Sequence, residues 1–481
     1  MSRAATAATS TASASRARSS IPATKCGSAP PSSPTRSTTS ARADETEVPL
    51  AEIQPFAGVR YRVPDPELAR VLAPPYDVIP PAYQEALYAR DPRNIVRVIL
   101  NRGSGGSGGT GGSPQLDERA RIDSARANDA AYDEAGATYR RWLAEGVLAP
   151  DPEPSLYLLE QVFAIDDRRL ARVGLLARFR AEDPRTRRIL PHEQTRKGPR
   201  ADRWRVLLAT RANFSAIFMM FPDARGAFAS LAATAMAAPP VSSYTDDGGV
   251  AHRLWRIADP AAIAAFAGAL AEPTAYIADG HHRYATALRY RDEHGPEGAW
   301  TLGYFSPIEA PGLVVLPYHR ILADGPRLEE ARRALEKHFR LSAAVDAREA
   351  ARKTAASAAP YAFGFAERGQ GGLVAEALAL ADQLLPPETP PSLRALDAYF
   401  LHRAVLPKLL GVDDSSARYV HSLAEAEEEL GAGSARLAVL MRATPPPQIV
   451  AVAEAGESMP AKSTFFHPKL PSGLVIHPLV V

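Results

Sequence analysis

The 481-residue sequence predicts an α+β fold with a mixed β-sheet core. Two strand-like runs, residues 155–165 and 169–180, flank the short turn Asp166-Asp167-Arg168 and predict an antiparallel hairpin. Residues 274–288 instead read as a buried strand, an Asp-Gly turn and a helix. No internal repeat of fixed period is present, so a repeat architecture is not expected.

The other elements are predicted from apolar spacing and from the turn residues that separate the runs. Short apolar runs predict strands at residues 94–100, 214–221, 301–305, 313–316, 361–365, 437–442 and 449–453. Helical spacing predicts helices at residues 116–145, 199–213, 279–293 (with the opening turn), 327–338, 393–410 and 423–430. Pro199 suits the first turn of its helix, where no N–H donor is needed.

Composition divides the chain into three predicted regions. Residues 1–47 are of low complexity and cannot pack a core, so we predict a disordered head. Its Arg/Ser/Ala bias is also that of an organelle transit peptide, which stays an alternative. Residues 48–325 are predicted to form an α+β catalytic or nucleotide-binding region, with a flexible Gly/Ser loop at 103–113. Residues 326–481 form a C-terminal α+β region that completes the site.

Charge and cysteine content limit the classes of partner. The net charge is +2, and residues 1–42 carry six basic groups and no acid, which leaves about −4 for the rest. A nucleic-acid partner is therefore not predicted. The single cysteine, Cys26, excludes a disulfide framework and a cysteine metal site, which suits the cytoplasm. No apolar run approaches the ~18 residues that a membrane span needs.

The segment Asp279-Gly280-His281-His282-Arg283 predicts a phosphate site at the start of a helix. The first N–H groups of a helix lack intrahelical partners, and the helix dipole adds positive potential there. A glycine allows close approach, and arginine offers a planar fork for phosphate oxygens. His281 and His282 do not share a helical face, so their roles should differ. The alternative is that both histidines are structural.

Residues 192–203 contain seven ionisable side chains in twelve positions. His192 and Glu193 are predicted as an acid/base pair or as ligands of a divalent cation. The same segment supplies three predicted polyphosphate ligands, Arg196, Lys197 and Arg203. A charged, solvated loop is the alternative.

Asp77 follows the rigid stretch Ala73-Pro74-Pro75-Tyr76 and is a candidate metal ligand together with Asp279. The alternative is that Asp77 caps a helix that begins near Pro81.

Lys462, Ser463 and Thr464 lie in a segment that misses the P-loop pattern, because Ala461 stands where the second glycine is required. Pro460 inside the loop also argues against a P-loop. The three side chains remain candidates to contact a phosphate or a carboxylate.

Together these segments resemble the bacterial and archaeal DUF1015 family of uncharacterised proteins. The resemblance rests on Pro-Pro-Tyr-Asp-Val-Ile, His-Glu-Gln-Thr…Gly-Pro-Arg-Ala-Asp-Arg, Ala-Asp-Gly-His-His-Arg-Tyr and Met-Pro-Ala-Lys-Ser-Thr-Phe-Phe-His-Pro-Lys-Leu, and it covers residues 48–481. The Asp-Gly-His-His-Arg box is similar to the phosphate-binding box of the ParB/sulfiredoxin superfamily, which includes free serine kinases.

The resemblance implies that residues 48–325 are ParB/sulfiredoxin-like. It implies that Gly280, His281, His282 and Arg283 contact donor phosphates, and that Asp279 helps to place Mg2+ or the acceptor. Glu193 is our candidate for the catalytic glutamate. The predicted catalytic residues are Glu193, His192, His282 and Asp279.

The implied function is a nucleotide-dependent phosphotransferase that acts on a small hydroxy metabolite, with free L-serine as a candidate. ATP, ADP or CTP would be the donor and Mg2+ the cofactor. Two alternatives stay open, a regulatory switch that binds and hydrolyses a nucleotide and a metal-dependent hydrolase. Homo-oligomerisation is left open.

Overall fold

The computed structural model describes residues 52–102, 118–165, 167–195 and 197–479, without the side chains of 118–128, 197 and 199. The predicted disordered head at 1–47 and the predicted loop at 103–113 lie outside these ranges. Within the described part of the chain, no helix combines the length and apolar composition that crossing a bilayer requires.

A nine-stranded sheet carries the first part of the chain. In spatial order its strands are Ile189–Leu190, Ala275–Asp279, Ile217–Phe221, Trp300–Pro307, Arg168–Arg180, Leu156–Ile165, Ala251–Ile257 and Ser242–Thr245, with Ile53–Gln54 also paired to Arg168–Arg180. The first two strands pair in parallel, as do Ile217–Phe221 and Trp300–Pro307, and the other pairs are antiparallel. The predicted α+β class with a mixed sheet and the predicted hairpin are therefore confirmed.

A second, antiparallel sheet of six strands lies in the C-terminal part. Its strands, in spatial order, are Phe339–Ala344, Gly372–Ala377, Ala362–Ala366, Leu437–Met441, His319–Leu322 and Arg418–Val420. Three short ladders complete the pairing, and they are Val59–Tyr61 with Leu148–Pro150, Val314–Leu316 with Phe465–His467, and Ala212–Asn213 with His477–Pro478. Two of these ladders join the C-terminal segment to strands of the earlier part.

Helices connect and cover the strands. The α-helices are Asp65–Val71, Pro81–Arg90, Val96–Ile99, Glu118–Ala144, Lys197–Thr210, Ala227–Ala235, Pro260–Ala269, His281–His294, Leu328–Leu335, Ala347–Ala356, Pro391–Arg394, Asp397–Phe400, Leu423–Ala432 and Pro446–Glu454. Tighter 3-10 turns span Tyr76–Val78, Pro184–Thr186, Pro296–Ala299, Ala379–Leu384 and Asp414–Ser416, and Leu401–Leu409 is π-helical.

The large sheet is buried on both faces, which explains its continuous apolar runs. In the strand Ile217–Phe221 every residue is buried. Because side chains alternate between faces, Phe218 and Met220 pack in one core cluster, whereas Ile217 and Met219 pack in another.

Two strand predictions are wrong. Residues 94–100 contain the short helix Val96–Ile99, because the Asn94 side chain accepts a hydrogen bond from the Val96 N–H at 2.9 Å and turns the chain. Residues 449–453 lie in the helix Pro446–Glu454, whose buried Ile449, Val452 and Ala453 follow helical spacing.

Two further predictions about helices need correction. The helix Pro81–Arg90 has Pro80 at its N-cap and no side-chain cap, so Asp77 does not cap it. Asp77 lies instead in the 3-10 turn Tyr76–Val78. The single helix predicted at 393–410 is divided into three segments, and the π-helical one contains Pro407. Pro407 has no N–H donor, so it removes one hydrogen bond from that last segment.

Candidate functional site

The candidate site forms where the strand Ala275–Asp279 ends and the helix His281–His294 begins. Gly280 makes this turn with φ of 99°, a left-handed conformation that favours glycine. A Cβ atom at Gly280 would also lie 3.0 Å from the guanidinium carbon of Arg283. The glycine therefore permits both the turn and the close packing of Arg283 against the backbone.

Parallel pairing brings a second segment to the same place. Ile189 and Leu190 pair in parallel with Ala275 and Tyr276, so the residues after both strands emerge at one edge of the sheet. The His192 backbone N–H consequently donates to His281 Nε2 at 3.3 Å, although 89 positions separate the two residues. The structure thus joins two of the segments that sequence analysis selected.

The two histidines are neutral and have a defined arrangement. Their rings meet edge to face, with centroids 4.6 Å apart. Burial lowers the pKa of His192 to about 4, and burial, with His192 next to it, lowers the pKa of His281 well below its usual range. Because Nε2 of His281 accepts a hydrogen bond, its proton is on Nδ1, which lies 3.9 Å from Glu193 Oε2.

Asp279 is held between two cations. One carboxylate oxygen lies 3.0 Å from Arg283 Nη2 and the other lies 3.4 Å from Lys469 Nζ. Burial alone would raise the pKa of Asp279, but Lys469 and Arg283 lower it well below its usual range. Arg283 Nη1 also donates to the Ala216 carbonyl oxygen. Asp279 is therefore a fixed anion that orients two cationic side chains.

Glu193 has the opposite electrostatic behaviour. Burial raises its pKa to about 6, although Lys462 and Lys469 lower it in part and Asp279 raises it further. A carboxyl group with a pKa near neutrality can accept or return a proton at physiological pH. Glu193 thus has the electrostatic character expected of a general base.

The segment after Met459 runs beside the same edge. The Met459 N–H donates to the His192 carbonyl oxygen at 2.8 Å, and His192 Nε2 lies 3.3 Å from Thr464 Oγ1. Lys462 has a φ of 60°, which is uncommon for a residue with a side chain, and its Nζ lies 3.4 Å from Tyr318 Oη. The loop thereby adds a lysine and a hydroxyl to the site.

Three predicted ligands have other contacts or fall outside the described chain. Ser463 is buried, and its hydroxyl donates to the Pro460 carbonyl oxygen at 2.6 Å, so it acts within the loop. Arg196 lies outside the described residues, and Lys197 opens the helix Lys197–Thr210. His282 is partly exposed, one position after His281 on the helix.

Arg203 lines a neighbouring pocket together with Arg283. Its guanidinium is paired with Asp202, donates to the Ile99 carbonyl oxygen at 2.8 Å, and stacks 3.8 Å above the Tyr76 ring. Arg203 therefore forms part of the wall of this pocket.

Sequence analysis did not select two residues of the site, Lys469 and Tyr318. Lys469 occurs in the quoted His-Pro-Lys-Leu motif, so its signal was available. Tyr318 has no motif that marks it. Burial and the nearby Asp77, Asp279 and Glu193 carboxylates raise the pKa of Tyr318, so its hydroxyl stays protonated and can donate.

The predicted metal ligands do not form a metal cage. Among the side chains that the structure describes, no group of three or more His, Cys, Asp or Glu residues is arranged to hold a metal ion. Asp77 is exposed, and both oxygens of Asp279 have cationic partners. Positive charge at this site is supplied by lysine and arginine side chains.

The family model described as "Protein of unknown function (DUF1015)" matches residues 53–399, which is more than half of the chain. The chain belongs to the DUF1015 family. The Asp-Gly-His-His-Arg box and Glu193 lie within the matched DUF1015 range, whereas Lys462 and Lys469 follow it. Among curated protein sequences, none matches the chain.

Several solved structures resemble this DUF1015 protein weakly. A mutant free serine kinase in complex with AMP is 12% identical, with a TM-score of 0.29, and the match covers 58% of this chain and 83% of that one. A conserved hypothetical protein from Pyrococcus furiosus is 13% identical, with a TM-score of 0.30 and coverage of 61% and 94%. SbnI from Staphylococcus aureus, truncated at its C-terminus, is 12% identical, with a TM-score of 0.29 and coverage of 60% and 84%.

Proposed function

We propose that this DUF1015 protein is a nucleotide-dependent phosphotransferase that acts on the hydroxyl group of a small metabolite. The observation that carries the proposal is the pairing of opposite pKa shifts at one helix start. Glu193 has a pKa raised to about 6, while Asp279 is kept ionised by Arg283 and Lys469. Neighbouring acids with such divergent pKa values are typical of acid/base sites.

Phosphoryl transfer requires positioned cations and little covalent chemistry from the protein. The N–H groups of the first turn of the helix His281–His294 would bind donor phosphate oxygens. Lys462, Lys469 and Arg283 would neutralise the charge that develops during transfer. Lys469 is nearly buried, with 11% of its side chain exposed, so water screens its charge little.

Glu193 would accept the proton of the acceptor hydroxyl. The neutral His281 lies beside the Glu193 carboxylate, with Nδ1 3.9 Å from Oε2, so it would donate a hydrogen bond to that carboxylate only after the two groups move closer. The Tyr318 hydroxyl, next to Lys462, would donate a hydrogen bond to an acceptor or phosphate oxygen. Free L-serine is the candidate acceptor, and ATP, ADP or CTP is the candidate donor.

Mg2+ is proposed only as a companion of the donor phosphates. Magnesium commonly binds through one or two carboxylates together with substrate phosphates, so a protein cage is not required. Each Asp279 oxygen already has a cationic partner, and so Asp279 is a weak candidate ligand. Asp77, which is exposed, is the better candidate of the two.

The test is nucleotide turnover by the full chain, with and without a panel of small hydroxy compounds that includes L-serine. Each reaction would be run with and without Mg2+, and phosphorylated products would be identified by mass spectrometry. A phosphorylated acceptor supports the proposal. Hydrolysis that no acceptor changes would favour the regulatory nucleotide switch, and the absence of nucleotide binding would overturn both.

A further inference from the structure

An open pocket lies beside the proposed phosphate-binding turn. It is lined by the helices Lys197–Thr210 and His281–His294 and by the strands Ala212–Asn213 and Ile217–Phe221. Its walls determine what class of compound it can hold.

The floor of the pocket is apolar and one wall is flat. Seven of the fourteen lining residues have apolar side chains, and they are Ile99, Val206, Leu207, Ala212, Phe214, Ile217 and Ala287. The Tyr76 ring carries the Arg203 guanidinium stacked at 3.8 Å, and both residues line the pocket. Planar guanidinium and phenol groups are favourable partners for a flat aromatic ring.

The charge of Arg203 is already compensated inside the pocket. Arg203 is paired with Asp202 and donates to the Ile99 carbonyl oxygen at 2.8 Å. Away from Arg283, which borders the helix start, the interior of the pocket therefore does not demand an anion. An uncharged ring with polar edges suits it better than a carboxylate or a phosphate does.

Asn213 gives the pocket a polar group of fixed orientation. Its Oδ1 accepts a hydrogen bond from Thr301 Oγ1 at 3.4 Å and lies 3.1 Å from His477 Nδ1. Burial lowers the pKa of His477 to about 3, so this imidazole is neutral and can donate through Nδ1. The Asn213 Nδ2 group has no acceptor among the described residues, and it is available to donate to the edge of a heterocycle.

The pocket and the phosphate-binding turn share Arg283. Arg283, Thr286 and Ala287 all line the pocket, and they occupy one side of the same helix. Because a helix rises 1.5 Å per residue, the backbone of Ala287 lies about 6 Å further along the helix than that of Arg283. A ligand with phosphates at the first turn would place its next group in this pocket.

We infer that the pocket binds the heterocyclic base of the nucleotide donor. The inference rests on the proposed function, and it specifies where the donor is recognised. The base lies between the apolar floor and the Tyr76–Arg203 wall, and Asn213 Nδ2 donates to a ring nitrogen or carbonyl oxygen of the base. The phosphates extend from Arg283 to the start of the helix.

The experiment fills the pocket without touching the phosphate-binding residues. Val206 is buried and lines the pocket, whereas Leu208, two positions later on the same helix, is 44% exposed. Val206→Phe and the matched control Leu208→Phe would be titrated calorimetrically with ATP, CTP and pyrophosphate. Loss of base contacts is expected to weaken nucleotide binding about 10-fold or more in Val206→Phe, with pyrophosphate affinity unchanged and Leu208→Phe like wild type.

Nucleotide affinity at the wild-type level in folded Val206→Phe would overturn the inference. If wild type binds neither nucleotide nor pyrophosphate, the proposed function fails instead. Asn213→Asp, which keeps the side-chain shape, is the second variant in case Val206→Phe does not fold. It replaces the Nδ2 donor by an acceptor, so it should alter the ratio of ATP to CTP affinity, and an unchanged ratio together with unchanged affinities would contradict base recognition by Asn213.

Discussion

Glu193 and Asp279 show how one neighbourhood gives two carboxyl groups different chemistry. Asp279 contacts two cations, at 3.0 and 3.4 Å, and remains ionised. Burial also acts on Glu193, but Lys462 and Lys469 offset it only in part, and its pKa is raised to about 6. Asp279 is therefore suited to fix Arg283 and Lys469, and Glu193 is suited to exchange a proton.

Replacing Glu193 by glutamine should remove the proton acceptor, and with it the dependence of the reaction rate on pH near 6. The wild-type rate should rise as pH increases through about 6, because Glu193 must lose its proton to act as a base. Glu193→Gln should reduce kcat by roughly 100- to 10,000-fold and lose this limb of the pH profile. The exposed Glu336 supplies the control variant Glu336→Gln. If the rate of Glu193→Gln still rises as pH increases through about 6, another group causes that rise.

The same substitution has an expected effect on stability. A carboxyl group whose folded pKa exceeds its ordinary value of 4.5 stabilises the fold when protonated, and this contribution is lost as pH rises through about 6. Glu193→Gln should therefore be at least as stable as wild type at pH 8. Thermal melts at pH 5 and pH 8 measure this difference.

Arg283→Ala should weaken nucleotide binding, and the chain should still fold with a somewhat lower melting temperature, because the Ala216 carbonyl oxygen loses its donor. A lost hydrogen bond to a charged group is worth ~1.5–3 kcal/mol, which corresponds to roughly 10- to 150-fold in affinity. Asp279 retains Lys469 as a partner in this variant, so no carboxylate is left unpaired. Arg283→Lys should restore part of the affinity, because lysine keeps the charge but not the fork.

Calorimetric titration with nucleotide checks this prediction, with Arg225→Ala as an exposed control. Wild-type affinity in folded Arg283→Ala would reject the phosphate role of Arg283.

At the scale of elements, the large sheet holds the segment that carries Lys469. Arg172 is fully buried, donates to the His467 carbonyl oxygen at 3.1 Å, and also contacts the Pro468 carbonyl oxygen and the Gln161 side chain. Gln161 Nε2 in turn donates to the Lys469 carbonyl oxygen at 3.0 Å. Two neighbouring strands thus fix the backbone from which Lys469 reaches Asp279.

Arg172→Met should therefore affect both stability and the site. Each buried carbonyl group that loses its donor lowers the free energy of unfolding by about 1–3 kcal/mol, so the melting temperature should fall. Nucleotide affinity of the folded fraction should fall as well, since Lys469 would lose its fixed position. Arg169→Met, an exposed change on the same strand, serves as the control. A lower melting temperature with unchanged affinity would mean that Arg172 supports only the fold.

The sequence predicted the structure best where neighbouring residues in the chain determine it. The strand, turn and helix around Gly280 were predicted because adjacent residues determine them, and the same holds for the hairpin. The meeting of His192 with His281 depends on the parallel pairing of Ile189–Leu190 with Ala275–Asp279, and two paired residues on each strand leave little signal. The roles of Lys469 and Tyr318 likewise depend on partners far away in the chain.

Errors arose where apolar runs fit two periodicities. Ile449, Val452 and Ala453 satisfy helical spacing, yet the run around them is short and apolar enough to resemble a buried strand. The run at 94–100 contains several β-branched residues, but the Asn94 side chain bonds to the backbone and favours a turn. Such choices depend on local hydrogen bonds that apolar patterning does not encode.

At the scale of the whole molecule, the C-terminal segment belongs to the core of the large sheet. Residues of this segment share one buried cluster with Phe56, Val59 and Leu159, and they include Ile449, Val452, Phe466, Val475 and Ile476. The Ile476 N–H also donates to the Val59 carbonyl oxygen at 2.9 Å. Lys462 and Lys469 lie in the same stretch of chain. The segment therefore completes the core and carries two lysines of the candidate site.

This arrangement predicts opposite outcomes for two deletions. A chain of residues 48–325 would lose eleven buried apolar residues from the core cluster. The five named above, at ~1.5–3 kcal/mol each, alone contribute an amount comparable to the whole stability of an ordinary domain. We expect it to show no cooperative melt.

Deleting residues 1–47, whose composition cannot repay the entropy of ordering, should leave the melting temperature within a few degrees. Shortening 103–113 to a few glycines should be equally mild. Differential scanning calorimetry compares these chains with wild type, and a cooperative transition in 48–325 would show that this region folds without the C-terminal segment.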